Sequence, residues 1–167
     1  MDIDQFKLGM RRLAAGVSLI TTLGDGKRHG LVATAVSSVT GEPPSLLVCV
    51  NQNASAHDHI SRSGIFCVNV LSEDDQSTAA RFSSATDREK RFEKGEWQTL
   101  VTGAPALVGS LVSFDCELKH ALAYQSHTIF VAAIAETRVW DRGIAPLVYL
   151  DGRYRQMVLD QEIAAAG

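Results

Sequence analysis

Residues 29–51, HGLVATAVSSVTGEPPSLLVCVN, decide the architecture. From Leu31 to Val36 the chain is apolar with small polar insertions, and its β-branched residues favour a strand over a helix. Ser37 and Ser38 stand where this strand is expected to end, and Gly41 to Pro44 break it. The next run, Leu46 to Val50, has no polar residue on either face, which predicts a strand covered on both sides before Asn51. If the two strands share a sheet, Thr34, Ser37 and Ser38 offer hydroxyls and backbone N–H groups to an anion. The small Ala33 and Ala35 let a flat ligand approach the backbone. A core hairpin whose serines serve only its turn accounts for the same residues.

Upstream, Ile3, Phe6, Met10 and Leu13 recur at helical spacing, so residues 2–14 predict an amphipathic helix with Gly16 as its C-cap. Val17 to Leu23 predicts a strand, and Gly24-Asp25-Gly26 a hairpin turn. Gly24, Gly26 and Gly30 miss a dinucleotide fingerprint by one residue, with His29 where the third glycine belongs.

Downstream, Ser55 is the expected N-cap of a short helix closing at Gly64, and Ile65 to Leu71 predicts another buried strand. Ser72 with Asp75 is a capping-box pattern opening a helix to about Phe82. The mixed charges of residues 87–96, DREKRFEKGE, predict a solvated, mobile loop. Leu111 to Ala121 and Thr128 to Trp140 alternate as two long strands around a turn at Tyr124 to His127. Pro146 to Leu150 and Tyr154 to Leu159 flank an Asp151-Gly152 turn, and residues 162–167 read as a frayed tail.

Six or seven strands, two or three short helices and few βαβ alternations predict a mainly β fold, an antiparallel barrel with helices covering its ends. Its small interior leaves a ligand outside, in a groove shared with a second subunit. One domain over residues 1–167 suits the length. The net charge of -3 leaves no broad cationic surface for nucleic acid. No apolar run approaches the roughly 20 residues that span a bilayer, and MDIDQFKLGM lacks the order of a secretory signal, so a cytoplasmic location is the default. Cys49, Cys67 and Cys116 are odd in number and set in apolar runs, which suits buried, reduced thiols.

The order of Gly30, Ala33, Thr34, Ala35, Ser37, Ser38, Pro43, Pro44 and Asn51 resembles the signature of the small flavin reductases of two-component monooxygenase systems. The similarity runs from about Phe6 to Met157. It implies an FMN-binding split barrel that forms a homodimer with flavins at the interface. It further implies hydride transfer from NADH or NADPH to FMN or FAD, and delivery of reduced flavin to a separate monooxygenase.

By the same resemblance, Thr34 and Ala35 lie along the flavin ring and Ser37 and Ser38 bind its phosphate. Asn51 and Ser55 bind the ribityl chain or ring edge, and Ala56 packs close by. Arg81 and Phe82 match an Arg-Phe pair that approaches the phosphate, a role suited to a planar guanidinium. Tyr149 and Tyr154 match aromatic positions lining the flavin pocket. His127 stands where relatives carry Gly-Asp-His, a nicotinamide-associated triplet; here it reads Gln125-Ser126-His127.

Other chemistries lack their residues. There is no Gly-x-Ser-x-Gly elbow, no Walker-type loop and no CxxC pair, and His57 and His59 fall on different faces of a helix, which disfavours a shared metal. Two further readings stand beside the reductase: a non-catalytic FMN-binding split barrel that carries electrons or stores flavin, and a barrel that has lost flavin and kept its dimer.

Overall fold

The computed structural model describes residues 1–141 and 143–159. The strands are β1 (Ala15–Gly16), β2 (Ser18–Gly24), β3 (Lys27–Ala33), β4 (Val36–Gly41), β5 (Pro44–Asn51), β6 (Ile65–Val70), β7 (Trp97–Thr99), β8 (Pro105–Leu107), β9 (Val112–Tyr124), β10 (His127–Val139), β11 (Val148–Leu150) and β12 (Arg153–Arg155). The α-helices are α1 (Ile3–Met10), α2 (His57–Ser63) and α3 (Gln76–Ser83).

The principal sheet has seven strands in the order β3-β2-β6-β9-β10-β5-β4, and every pair is antiparallel. Its two edge strands, β3 and β4, are consecutive in the chain and joined only by Thr34 and Ala35. Flat, seven strands at about 4.8 Å would hold those edges about 29 Å apart. The connector reaches no more than about 11 Å. The sheet therefore curls until its edges meet. The Ala35 carbonyl accepts a hydrogen bond from the Cys49 amide at 2.9 Å, which extends the β4–β5 ladder up to the connector. The opening stretch thus forms two strands, as expected, but the first divides at Thr34–Ala35, because closing the barrel requires a change of edge there.

Ile20, Val48, Val50, Phe66, Val68 and Phe130 fill the barrel, and Ile60 of α2 closes one end. A second cluster lies outside it, where Leu19 and Val32 meet Ala79 and Phe82 of α3, with Phe92 and Leu107. A third, smaller cluster seats Cys67 against Ala104 and Ala106. Central β6 is consequently buried on both faces, as predicted. On β5, only Leu46, Val48 and Val50 are fully buried; Leu47 and Cys49 are half-buried, since nothing among the described residues fully covers the barrel's outer wall there.

Asp2 caps α1 through the Asp4 amide at 2.9 Å. The helix stops at Arg11, earlier than its apolar pattern suggests, and Gly16 pairs with Val148 in β1 instead of capping. Gly64 caps α2 in the left-handed region, whereas Ala56, not Ser55, occupies the N-cap. The capping box at Ser72 and Asp75 forms as read. In the 87–96 segment, Arg91 and Phe92 turn inward and are buried, against the expectation of a wholly solvated loop. Their seat is the outer face of β3, which alternating charge in the sequence does not disclose. The last strand is only Arg153–Arg155, shorter than the run to Leu159. The tail at 162–167 lies outside the described residues.

Candidate functional site

The seam where the barrel closes gathers residues from distant parts of the chain. Thr34 and Ala35 sit at the edge change, and the β11–β12 hairpin brings Tyr149 and Tyr154 opposite each other in register. Their rings meet edge to face, with centroids 5.7 Å apart at 67°. The hairpin turns at Asp151 and Gly152, both with positive φ, and the Asp151 amide donates to the Arg11 carbonyl at 2.9 Å, tying the turn to the end of α1.

Two cavities open on either side of Tyr149, and both reach Thr34 and Gly152. One, of about 420 Å³, is floored by Val17 and Val32 and walled by Ser83 and Tyr154. The other, of about 520 Å³, adds Ala35, Met10 and Leu13. Their combined lining sets small, apolar and aromatic side chains beside polar ones, Thr34, Ser83, Arg11, Asp151 and Arg153, a mixture suited to a small molecule with a flat body and polar groups.

Asn51 ends β5 directly opposite His127 on β10. The Asn51 Oδ1 accepts the Asn53 amide at 2.8 Å, and the Gln52 side chain donates to the His127 carbonyl at 3.3 Å. The His127 ring is exposed, with Nδ1 2.9 Å from the Ser126 hydroxyl. Ser37 and Ser38 lie exposed on β4, two and three residues beyond Ala35. Together these positions outline one edge of the barrel from Thr34 to His127.

The other expected residues lie elsewhere. Ala56 is fully buried in the barrel core. Phe82 is 2% exposed and packs edge-on to Phe92 at 5.0 Å. Arg81 donates through Nε to the Arg91 carbonyl at 2.9 Å, and through Nη2 to the Lys94 carbonyl at 3.3 Å and the Thr78 hydroxyl at 3.4 Å. It thereby fastens the loop after α3. Ser55 opens into a separate cleft of about 660 Å³ beside the β2–β3 turn, together with Lys27, Arg28, His59, Arg88 and Arg91.

Within that cleft the His29 and His59 rings stack at 3.4 Å. Burial pushes the His29 pKa below its ordinary value, with His59 and Lys27 adding to the effect and the Gly24 carbonyl and Asp25 opposing it. Arg91 is also lowered, by burial first and then by Arg88. Among the described residues, no cluster of three or more histidine, cysteine or acidic side chains could hold a metal.

Residues 10–157 match the flavin reductase like domain family. The chain belongs to this family. A curated relative, FMN reductase (NADH) RutF of Agrobacterium fabrum (strain C58), is 39% identical over 150 residues, which cover 90% of this chain and 86% of that protein. BorF, the flavin reductase component of a bacterial two-component tryptophan halogenase, superposes with a TM-score of 0.85 at 32% identity, covering 93% of this chain and 98% of that one. The nitrilotriacetate monooxygenase component B homologue from Mycobacterium thermoresistibile gives a TM-score of 0.91 at 26% identity, covering 99% and 93%.

For this flavin reductase domain, sequence reading missed Val17, Val32, Ser83 and Gly152 as groove residues, because each looks like ordinary strand, helix or turn material. It weighed Arg88, Lys90 and Arg91 as basic side chains for a nicotinamide ribose or for solvent, but did not join Arg88 and Arg91 to Lys27 and Arg28 in one cationic cleft. The Lys27-Arg28-His29 triplet directly after a turn was the available signal, and its partners Arg88 and Arg91 lie about sixty residues away.

Proposed function

We propose that this chain is an NADH-dependent FMN reductase that supplies reduced flavin to a separate monooxygenase. Family membership supports the reaction class, and the curated relatives carry the name FMN reductase (NADH). The observation that carries the site is the convergence of Thr34, Ala35, Tyr149 and Tyr154 on two adjoining cavities that share Thr34, Tyr149 and Gly152.

These residues fit a flavin. Ala35 adds no more than a methyl, so a planar ring system can lie against the backbone at the seam. The Tyr149 and Tyr154 rings form an aromatic wall, and Val17 and Val32 supply an apolar floor from which water is displaced. Ser37 and Ser38 extend this edge with hydroxyl groups suited to a polar chain or phosphate. When bound, the flavin accepts a hydride delivered by the nicotinamide. The protein's work is to hold both reactants flat and close. Asn51 and His127, paired across β5 and β10, are placed to orient the nicotinamide amide by hydrogen bonding. FAD is a second flavin substrate in this reading, and NADPH a second donor.

A homodimer completes the groove. Ile3, Phe6 and Met10 leave the apolar side of α1 about half exposed, and Leu47 and Cys49 leave the outer face of β5 half-covered. Uncovered apolar surface of this kind marks an interface. The three thiols are unpaired, which suits a reducing compartment and a cytoplasmic location.

The test is NADH oxidation by the purified protein, followed by absorbance with and without FMN. Turnover that saturates with FMN is expected, with Tyr154→Ala raising the FMN KM. A protein that binds FMN and leaves NADH unoxidised would be a flavin carrier, and the reductase reading would fall. The carrier alternative draws no support from relatives named as reductases.

A further inference from the structure

The cleft beside the β2–β3 turn has a composition unlike the rest of the molecule. Lys27, Arg28, Arg88 and Arg91 line it against one carboxylate, Glu89. A chain of net charge -3 therefore concentrates four cations around one cavity. Asp25, just outside, is held by Arg62 at 2.8 Å. Like charges gathered this closely repel one another, so the arrangement is stabilised by an anion.

The strongest single sign is Arg91. It is only 5% exposed and lines the cavity. Its Nη1 donates to the Gly30 carbonyl at 3.2 Å and its Nη2 to the Ser84 carbonyl. Its Nε is buried with no hydrogen-bond partner. A guanidinium held by both terminal nitrogens at the cavity wall keeps its charge there and leaves one buried donor unpaired, which an anion would compensate. Arg28 is steadied over the Phe92 ring at 5.0 Å, the stacked His29 and His59 rings form a planar wall, and Ser55 adds a hydroxyl.

The cleft is separate from the seam groove. Arg28 and Thr34 are six residues apart along β3 and its end, about 20 Å at about 3.3 Å per residue. Phe82, packed over Gly30, stands between them. We propose that this cleft binds the diphosphate group of a dinucleotide. The ligand class rests on the reductase reading; the anion site itself does not. NADH and FAD both carry that group.

The experiment is calorimetric titration with inorganic pyrophosphate at low salt, comparing the unaltered protein, Arg28→Gln/Arg88→Gln and Lys119→Gln. Arg28 and Arg88 are exposed, so the double variant tests the cleft without disturbing a core. Lys119, paired with Glu117 at 2.8 Å on β9, controls for loss of overall positive charge. Pyrophosphate should bind, with affinity falling about tenfold or more in the double variant and holding in Lys119→Gln. No binding, or equal loss in both variants, overturns the proposal. In steady-state assays of the double variant, a raised KM for NADH with FMN as acceptor identifies the nicotinamide dinucleotide as the source. A raised KM for FAD alone identifies the flavin dinucleotide. A protein that reduces flavin but ignores pyrophosphate loses the cleft and keeps the reductase reading. One that binds pyrophosphate there but oxidises no NADH does the reverse.

Discussion

Gly30→Ala tests the packing that separates the two cavities. A Cβ at Gly30 would lie 2.8 Å from Phe82 Cε1, 3.1 Å from Phe82 Cδ1 and 3.2 Å from the Ile20 carbonyl oxygen. Carbon atoms prefer about 3.5–4.0 Å. The ring has little room to retreat, being 2% exposed, edge-on to Phe92 at 88° and 5.9 Å from Trp97. Overpacking of this kind costs about 1–3 kcal/mol. Replacing glycine also restricts the unfolded chain, which returns about 0.4–1 kcal/mol. The net expectation is a loss of about 1–2 kcal/mol. Phe82→Leu removes Cε1, the nearer of the two clashing ring atoms, and leaves δ carbons on a smaller, non-planar side chain that can turn aside, at the cost of part of a side chain whose full truncation loses about 3–5 kcal/mol. In the double variant the Gly30→Ala penalty should therefore shrink, giving a favourable coupling of about 1 kcal/mol or more. Urea unfolding followed by circular dichroism measures all four proteins, at one protein concentration because association shifts apparent stability. At about 2 kcal/mol per molar urea, the coupling appears as a midpoint difference of about 0.5 M. Additivity within about 0.3–0.5 kcal/mol would refute the wedge of Phe82 against β3.

Stability should also fall in mild acid through His29. The unfolded chain takes up its proton near the ordinary value of 6.5, whereas the folded chain does so only at lower pH. Between those values the unfolded state binds more protons, so stability drops as pH falls through that window and then levels off. His59, Asp25 and Lys27 face His29, and Arg62 lies beyond at Asp25. His29→Gln should flatten this component as pH falls below the ordinary histidine value of 6.5; an unchanged slope in urea midpoints would assign it to another group. Asn69 is fully buried on β6, where its Nδ2 donates to the Leu19 carbonyl and Thr21 hydroxyl at 3.1 Å and its Oδ1 accepts the Leu107 amide and Ser113 hydroxyl at 2.8 Å. Asn69→Ala orphans the Leu107 amide at about 1–3 kcal/mol, while the Ser113 hydroxyl keeps Ser110 at 3.1 Å, so a urea-derived loss of about 2 kcal/mol is expected, and one below about 1 kcal/mol would show that the network rearranges.

Much of this protein was legible in one dimension. β-branched runs, the Gly24 to Gly26 and Asp151-Gly152 turns and the Ser72 capping box are local, and each is decided by backbone preferences of neighbouring residues. Thr34, Tyr149 and Tyr154, named together by the family resemblance, meet beside one cavity because the β11–β12 hairpin folds against the connector between β3 and β4. Other features depended on which surfaces meet. Whether Arg81 or Arg91 has a free donor is set by a loop folding onto β3, and two Arg-Phe pairs ten residues apart look alike in sequence. α1 ended early because its turn was needed by the β11–β12 hairpin, a partner over a hundred residues away. Local propensity determined the elements and the barrel they build; burial, charge proximity and donor satisfaction are long-range sums that exist only once the barrel has closed.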